Sequence, residues 1–530
     1  MEILGLLFVS NWLVYTVAAL LAVYLYLTKN FGYWKRRGIK EITTRYPYQG
    51  ILYFLRKPFQ EIQEECYKKY GKIYGLYEGR NPMLMVGDPE LVKLILVKDF
   101  HAFTDRSGIS SDDPILSKFL SIQCGEEWKQ TRSVISPTFS TSKIKKMTGL
   151  VEDTVKSLIR NLEEAADKKE VIDCKKLFGA FTMDTIAACA FGTRVDSYKN
   201  PDNPFVIHAR KLFNKDVKPL DILAFMNPKL ARFFGINIIG EEMVNFFKNV
   251  TNQIIEYRQE HNEKQNDFLQ LMLDAQESTQ EVEDDHDEVN NLMDSAHVHE
   301  DENKEFVLKP SKRKILTRDD ILANSILFFL AGYDTTANAL SYCVYCLALN
   351  QECQEKLIQE IDHVWEEHDG IDYEQIGKMA YLDRVLSETL RLHGTVVLLD
   401  RKATVDYELG DTGITIPKGM VVQIPIYSIH HDPEYYPEPH TFDPERFLPE
   451  NKNNRHPYTY LPFGAGPRNC VGMRFALLEV KLCLAFVLRN FRFRPCSETK
   501  VPLEYYNGQV LIQAKEVSLV VEKREEVWSL

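Results

Sequence analysis

A mainly helical fold with a smaller strand-rich region (α+β), preceded by an N-terminal transmembrane helix, is what the sequence predicts. Three features predict it. Residues 3–27, ILGLLFVSNWLVYTVAALLAVYLYL, hold no Lys, Arg, Asp or Glu across 25 positions. Most of residues 50–390 reads as helical segments joined by short loops. From about residue 400, β-type runs and turns take over, in KATVDYELG, ITIPKGMVVQIPIY, GQVLIQ and EVSLVVEKR.

The N-terminal run comes first. About 20 apolar residues cross a bilayer as a helix. Lys29, Lys35, Arg36, Arg37 and Lys40 follow it, while only Glu2 precedes it, so the positive-inside rule leaves the N-terminus lumenal and the rest cytosolic. A cleaved signal peptide would carry a basic n-region, a shorter apolar core and a small-residue cleavage site, and this segment is poor in all three. The expected organisation is an anchor at 1–28, a basic hinge at 29–50 and one large domain at 51–530. Ten cysteines scattered from Cys66 to Cys496 form no dense disulfide framework, in keeping with a cytosolic body. Cys343 and Cys346 have CxxC spacing inside an apolar helical run, which predicts buried structural thiols.

The net charge of −12 is local: between Glu277 and Glu305 twelve Asp or Glu face one Lys. The remainder is near neutral, which argues against a nucleic-acid partner. Residues 276–316 are acidic and then basic, with almost no aromatics, and read as a solvated insert. Its His286, His297 and His299 read as surface residues. Residues 217–240 are apolar but broken by Pro219 and Pro228. They fit either buried core or a helix pair dipping into a membrane.

Thr317-Arg-Asp-Asp320 has capping-box spacing. It opens a run that is apolar on nearly every face for about 30 residues, roughly 45 Å of helix. Such a helix lies in a membrane or at a protein's centre. Asp334, Thr335 and Thr336 in its middle would be costly in lipid, so the central position is expected, with a function for the polar residues.

Cys470 lies in PFGAGPRNCVG, residues 462–472, too rich in Gly and Pro for regular structure. Zinc takes about four ligands, and no CxxC or HxxxH partner is near. A cysteine nucleophile needs a base such as His, which the sequence neither supplies nor excludes. Axial ligation of haem needs one thiolate and no other protein ligand. Gly464, Gly466 and Gly472 allow backbone to approach a flat macrocycle, loop N–H groups can tune the sulfur, and Arg468 can pair with a propionate.

Phe463-Gly-Ala-Gly466-Pro-Arg468-Asn-Cys470-Val-Gly472 resembles the FxxGxRxCxG signature of cytochrome P450 at every fixed position. Glu388-Thr-Leu-Arg391 resembles the ExxR of that family, and Pro444-Glu-Arg446-Phe447 its PERF. Ala331-Gly332-Tyr-Asp334-Thr335-Thr336 resembles AGx(D/E)TT, and Trp128-Lys-Gln-Thr-Arg132 the WxxxR helix. The resemblance covers essentially the whole chain after the anchor and is strongest to the clan of vertebrate steroid- and drug-oxidising and arthropod detoxifying enzymes.

The resemblance implies a P450-like fold and a microsomal haem-thiolate monooxygenase using haem b (iron protoporphyrin IX) and O2. It acts on lipophilic small molecules, whether xenobiotics, steroids or fatty acids. It implies Cys470 as the axial iron ligand, with Phe463 in the cofactor loop. Trp128, Arg132, Arg401 and Arg468 are assigned to the propionates, Arg401 only from its offset after ExxR. Glu388 and Arg391 are i,i+3 neighbours, and with Arg446 form a structural triad. Ala331 and Gly332 leave room for dioxygen, Thr335 orders a water, and Asp334 relays protons. The plain alternative for Thr335 is back-bonding within its helix.

Electrons must come from outside, since no flavin- or nicotinamide-binding glycine motif is evident. The implied partners are the membrane-bound NADPH-cytochrome P450 reductase and cytochrome b5, on a face including Lys129, Lys143, Lys145, Lys146 and Arg474. The implied location is the endoplasmic reticulum membrane, single-pass, with the catalytic domain cytosolic. Two departures stand out: His393-Gly394 replaces the prolines usual after ExxR, and the hinge after the anchor is reduced to Pro47 and Gly50. His393 reads as packing or solvated, and His430-His431-Asp-Pro433 as a turn without a metal. A haem-thiolate isomerase or dehydratase is a rival disfavoured by Asp334-Thr335, and a non-catalytic haem-binding protein is another. Selectivity is expected around 105–122, 205–240, 396–400 and 505–510.

Overall fold

The computed structural model describes residues 2–44, 49–107, 114–213, 241–277, 315–368, 370–509 and 511–524. The apolar stretch 217–240, most of the charged insert with its three histidines, and part of the 105–122 loop lie outside the described residues.

The N-terminal run forms α1 (Glu2–Thr28). Its large apolar side chains from Trp12 to Tyr26 are exposed. Among the described residues no helix is long and apolar enough to cross a membrane, and the described side chains of α1 begin only at Trp12. The body is then built on α2 (Gly125–Ile135), α3 (Thr141–Lys168), α4 (Cys174–Phe191), α5 (Glu241–His261) and α6 (Phe268–Glu277). After the insert come α7 (Arg318–Leu349), α8 (Ala380–Leu392), the short α9 (Ile426–His430) and α10 (Met473–Asn490).

Three small sheets complete the fold. In the largest, β1 (Ile73–Glu78), β2 (Asn81–Val86), β7 (Val421–Ile424) and β4 (Leu399–Lys402) lie in that order, with β2 and β7 parallel and the other pairs antiparallel. A second joins β3 (Val171–Asp173), β9 (Ser518–Lys523) and β8 (Phe491–Arg494), and β5 (Tyr407–Glu408) pairs with β6 (Thr415–Ile416). The two larger sheets each join chain segments hundreds of residues apart, tying the C-terminal third to the helical body.

α7 is the axis of the core. The Thr317 backbone and hydroxyl both meet the Asp320 carboxylate, and the Asp320 N–H donates back to the hydroxyl at 3.2 Å, so the capping box is complete. The helix runs 32 residues, about 48 Å, and is buried along nearly its full length. It packs most closely on α4. A Cβ on Gly332 would lie 3.0 Å from Ile186 Cδ1, and the Thr182 hydroxyl donates to the Tyr333 carbonyl at 2.9 Å. Small residues on α4 and α7 permit this approach, since protein interiors are close-packed. Cys343 and Cys346 are buried within α7, and burial raises both thiol pKa values.

A buried carboxyl in α10 departs from the apolar pattern. Glu479 of α10 is 1% exposed, and its Oε1 has no hydrogen-bond partner. Burial pushes its pKa well above the ordinary 4.5, so the carboxyl is held neutral. The folded chain keeps a proton there that the unfolded chain releases above its ordinary pKa. Stability is therefore greatest below that value and falls as pH rises toward the folded pKa. Glu479→Gln removes this linkage. Its stability to thermal unfolding is expected to gain on wild type as pH is raised from 5 to 8, by at most about 1.4 kcal/mol per pH unit. A gap independent of pH would show that Glu479 is ionised in the fold.

Candidate functional site

The loop before α10 turns twice through left-handed backbone, at Gly464 (φ 74) and Gly466 (φ 72). At Gly466 a side chain is excluded twice over, since a Cβ would also lie 2.0 Å from the Leu96 carbonyl oxygen. Gly472 is different: it caps α10 with ordinary φ, and a Cβ there would only touch Phe139. The Cys470 N–H donates to the Phe463 carbonyl at 2.9 Å, which closes the loop, and the Phe463 ring packs on the core.

Cys470 is accessible to a water-sized probe yet enclosed deeply enough that burial raises its pKa. Together these place the thiol on an internal cleft. The Gly472 N–H and the charges of Arg132 and Arg106 act in the opposite sense and favour thiolate. Phe139 joins the loop to α7: it stacks edge-on against Phe328 at 5.1 Å and borders Gly472. One turn beyond Phe328, Ala331 is accessible although the helix around it is buried.

Four arginines converge beside the loop. The Arg468 guanidinium donates to the carbonyls of Thr104 (2.9 Å), Leu120 (3.5 Å) and Gln123 (2.7 Å) and stacks on Trp128 at 3.9 Å. Arg132 grips Asn469 twice, through its carbonyl (3.1 Å) and side-chain oxygen (2.9 Å). Arg106 donates to the Arg468 carbonyl at 2.9 Å. Arg401 on β4 is fully buried and bonds the Asp400 carbonyl, but its Nε and Nη2 have no partner. Burial and the neighbouring guanidiniums bring the pKa values of Arg401 and Arg468 down to about 9.

The carboxylates that act on Arg106, Arg401 and Arg468 are those of Asp400 and Asp105, two against three, so positive charge is in excess. Orphaned buried donors and uncompensated cations fit an anion with several oxygens. Together with one enclosed thiol on a cleft, they fit haem, whose two propionates would meet these arginines while iron meets Cys470. No group of three or more His, Cys, Asp or Glu among the described residues forms another metal site.

On α7, Ala331 and Thr335 share one face by i,i+4 spacing. The Thr335 hydroxyl donates to the Ala331 carbonyl at 2.7 Å, the back-bonded arrangement. Gly332 faces Ile186 rather than the cleft. Asp334 lies on the adjoining face and accepts from Gln513 (2.7 Å) and Asn338 (3.1 Å). Burial raises its pKa, and Lys175, itself lowered by burial and bonded to the Ala514 carbonyl, opposes the rise.

Behind the loop, Arg391 clasps Glu388 with both faces, Nε to Oε2 at 2.7 Å and Nη2 to Oε1 at 2.8 Å, with both residues fully buried. Arg391 Nη1 also donates to the carbonyls of His430 and Pro439, each at 2.8 Å. The Asp443 N–H donates to Glu388 at 3.0 Å. Arg446 Nε comes within 3.3 Å of Glu388 without hydrogen-bond geometry, while its Nη2 bonds the Glu438 carbonyl. His393 is packed rather than solvated: it lies beside Tyr342 and Tyr345, hydrogen-bonds the Tyr505 hydroxyl at 3.0 Å, and burial pushes its pKa down to about 4.

Sequence reasoning missed Arg106, Asn469, Lys175 and Gln513. Arg106, Lys175 and Gln513 belong to no dense motif, Asn469 stands at an unfixed position of the cysteine signature, and each becomes relevant only through contacts distant in sequence. Of the basic residues expected to meet a partner, Lys145 is paired with Glu374 at 2.6 Å and Lys129 lies 3.8 Å from Glu126. Lys143 and Lys146 border a surface cleft with Lys264.

The cytochrome P450 family model matches residues 41–521. Rat cytochrome P450 3A9 is 39% identical over 523 residues, covering 98% of this chain and 97% of that protein. Human cytochrome P450 3A7 is 38% identical over the full length of both, and mouse cytochrome P450 3A13 37% identical over 98% of each.

The Gly466 geometry generates a test. Gly466→Ala must move the Leu96 carbonyl and adopt a backbone disfavoured by roughly 1–2 kcal/mol for a residue with a Cβ. The purified variant is expected to hold several-fold less haem than wild type, measured by the pyridine haemochrome assay. Gly472→Ala, with open space and ordinary φ, is expected to stay near wild type.

Proposed function

The chain belongs to the cytochrome P450 family and is a haem-thiolate monooxygenase, and we propose that Cys470 is its iron ligand and Thr335 its proton-delivery residue. The observation that carries this is the enclosed Cys470 thiol beside the orphaned guanidinium donors of Arg401. Haem bound there supplies dioxygen activation, with the thiolate's electron donation favouring O–O cleavage. One oxygen atom enters the substrate and the other leaves as water, with electrons from NADPH delivered through a reductase.

The chain's own residues do the rest. Arg106, Arg132, Arg401 and Arg468 would hold the propionates, and Trp128 would keep Arg468 in place by stacking. Arg132 bonding to Asn469 fixes the residue next to Cys470. Ala331 offers a side chain too small to fill the space at α7. The Thr335 hydroxyl, donating to Ala331, turns a lone pair toward the cleft and can order a water there. Asp334 is held off that water by Gln513 and Asn338, so proton relay requires it to exchange those partners.

Xenobiotics, steroids or fatty acids fit as lipophilic substrates, because such clefts are lined mainly by apolar side chains. The exposed apolar side chains of α1 and the basic residues after it support a single-pass anchor in the endoplasmic reticulum membrane, with residues 51–530 cytosolic. Lys143, Lys146 and Arg474 support docking of an acidic redox partner, with cytochrome b5 as a second donor after the reductase.

Thr335→Ala tests the proton-delivery role. With reductase and NADPH, product formed per NADPH consumed is expected to fall roughly tenfold or more, with hydrogen peroxide rising to match. An unchanged ratio would remove Thr335 from the proton-delivery mechanism.

A further inference from the structure

His430, the last residue of α9, lies between the two parts of the site that must keep register with each other. It is 1% exposed. Its Nε2 accepts the Leu461 N–H at 2.8 Å. The ring proton therefore sits on Nδ1, and the ring also hydrogen-bonds the backbone of Arg391, where the acceptor is the carbonyl of a residue in the last turn of α8. A helix C-terminus leaves its last carbonyls without intrahelical donors, and His430 satisfies one of them. The His430 carbonyl in turn accepts from Arg391 Nη1 at 2.8 Å. One residue thus meets the backbone and side chain of Arg391 with two different groups.

Leu461 begins the cysteine loop. Its carbonyl accepts the Gly464 N–H at 3.1 Å, and two residues further on the Phe463 carbonyl accepts the Cys470 N–H. The adjoining Tyr460 stacks on the His430 ring at 5.5 Å and donates from its hydroxyl to the Ser387 carbonyl of α8 at 3.1 Å. The next residue gives a contrast. His431 is also buried, but its Nδ1 meets the Tyr427 carbonyl of its own turn and its ring stacks on Tyr427. Burial alone does not produce the bridge made by His430.

We propose that the neutral imidazole of His430 is a positioning residue that couples the Glu388–Arg391 anchor to the loop carrying Cys470. Two ring nitrogens with opposite hydrogen-bond roles span the gap between α8 and the loop, so the start of the loop is set by the anchor rather than by the loop itself. Loss of the bridge leaves the Leu461 N–H and the Arg391 carbonyl unpaired in a dry interior and lets the loop slide. The thiolate's grip on iron then weakens while the helical body persists. This rests on the reading of Cys470 as haem ligand.

The test uses the full-length holoprotein in detergent, as wild type, His430→Leu and His430→Gln. Gln offers a donor and an acceptor at nearly the spacing of the ring nitrogens, and Leu offers neither. The readout is the reduced, carbon-monoxide-bound Soret band, followed at mildly elevated temperature as the thiolate form converts to the non-thiolate form. Far-UV circular dichroism is recorded alongside. Conversion is expected to be about tenfold faster in His430→Leu, with helix content retained and His430→Gln close to wild type. Equal rates in His430→Leu and wild type overturn the proposal, as does a Gln variant as labile as the Leu variant. If His430→Leu does not fold, the Gln variant decides, because it must then fold and keep the thiolate band. Absence of that band from wild type overturns the haem reading itself, and this inference with it.

Discussion

The buried ion pair between Glu388 and Arg391 is the interaction on which the rest of the site depends. Two charges at zero exposure are costly to desolvate, and replacing such a pair with apolar residues often stabilises a protein. Its presence calls for a reason other than stability. The reason lies in where the remaining donors go: Arg391 reaches carbonyls at His430 and Pro439 and the Asp443 N–H reaches Glu388. The pair thus gathers three points of the stretch from His430 to Asp443 behind the cysteine loop. Removing one partner would cost about 3–5 kcal/mol and release all three.

In front of that anchor the chain gathers charge of one sign. Arg106, Arg132, Arg401 and Arg468 repel one another, and Arg401 keeps buried donors without partners. Such an arrangement is tolerable in a fold only if a ligand completes it. Anchor and arginine cluster are therefore complementary. The first fixes a loop that local sequence could not hold rigid, and the second supplies electrostatic affinity for the anionic edge of a cofactor.

Much of this was legible in the sequence, for reasons that differ by residue. The central helix could be read because Thr317 and Asp320 form a local cap and because apolarity on every face has few explanations. Cys470 stood out as a lone thiol among glycines and prolines, and the signature around it named the ligand role that composition left open. Spacing along one helix made Glu388 and Arg391 neighbours, and their role as an anchor is what the resemblance implied. What could not be read are contacts made across hundreds of residues. Arg106 meets Arg468, Gln513 meets Asp334, and Leu461 meets His430, and nothing local in either partner announces the other. Gly332 shows a subtler limit, for its small size serves helix packing against Ile186, which a motif alone does not separate from making room for a gas. The apolar segment 217–240 and the charged insert remain expectations from composition.

Ligation of iron by Cys470 as a thiolate is the premise on which the other assignments at the site rest. The most direct measurement is the absorption spectrum of the reduced, carbon-monoxide-bound protein, for wild type and for Cys470→His. Wild type is expected to show the red-shifted Soret band of thiolate ligation and the variant to lose it, with haem still bound. Well-folded wild type without a haem band, or a thiolate-type band that survives Cys470→His, would contradict it.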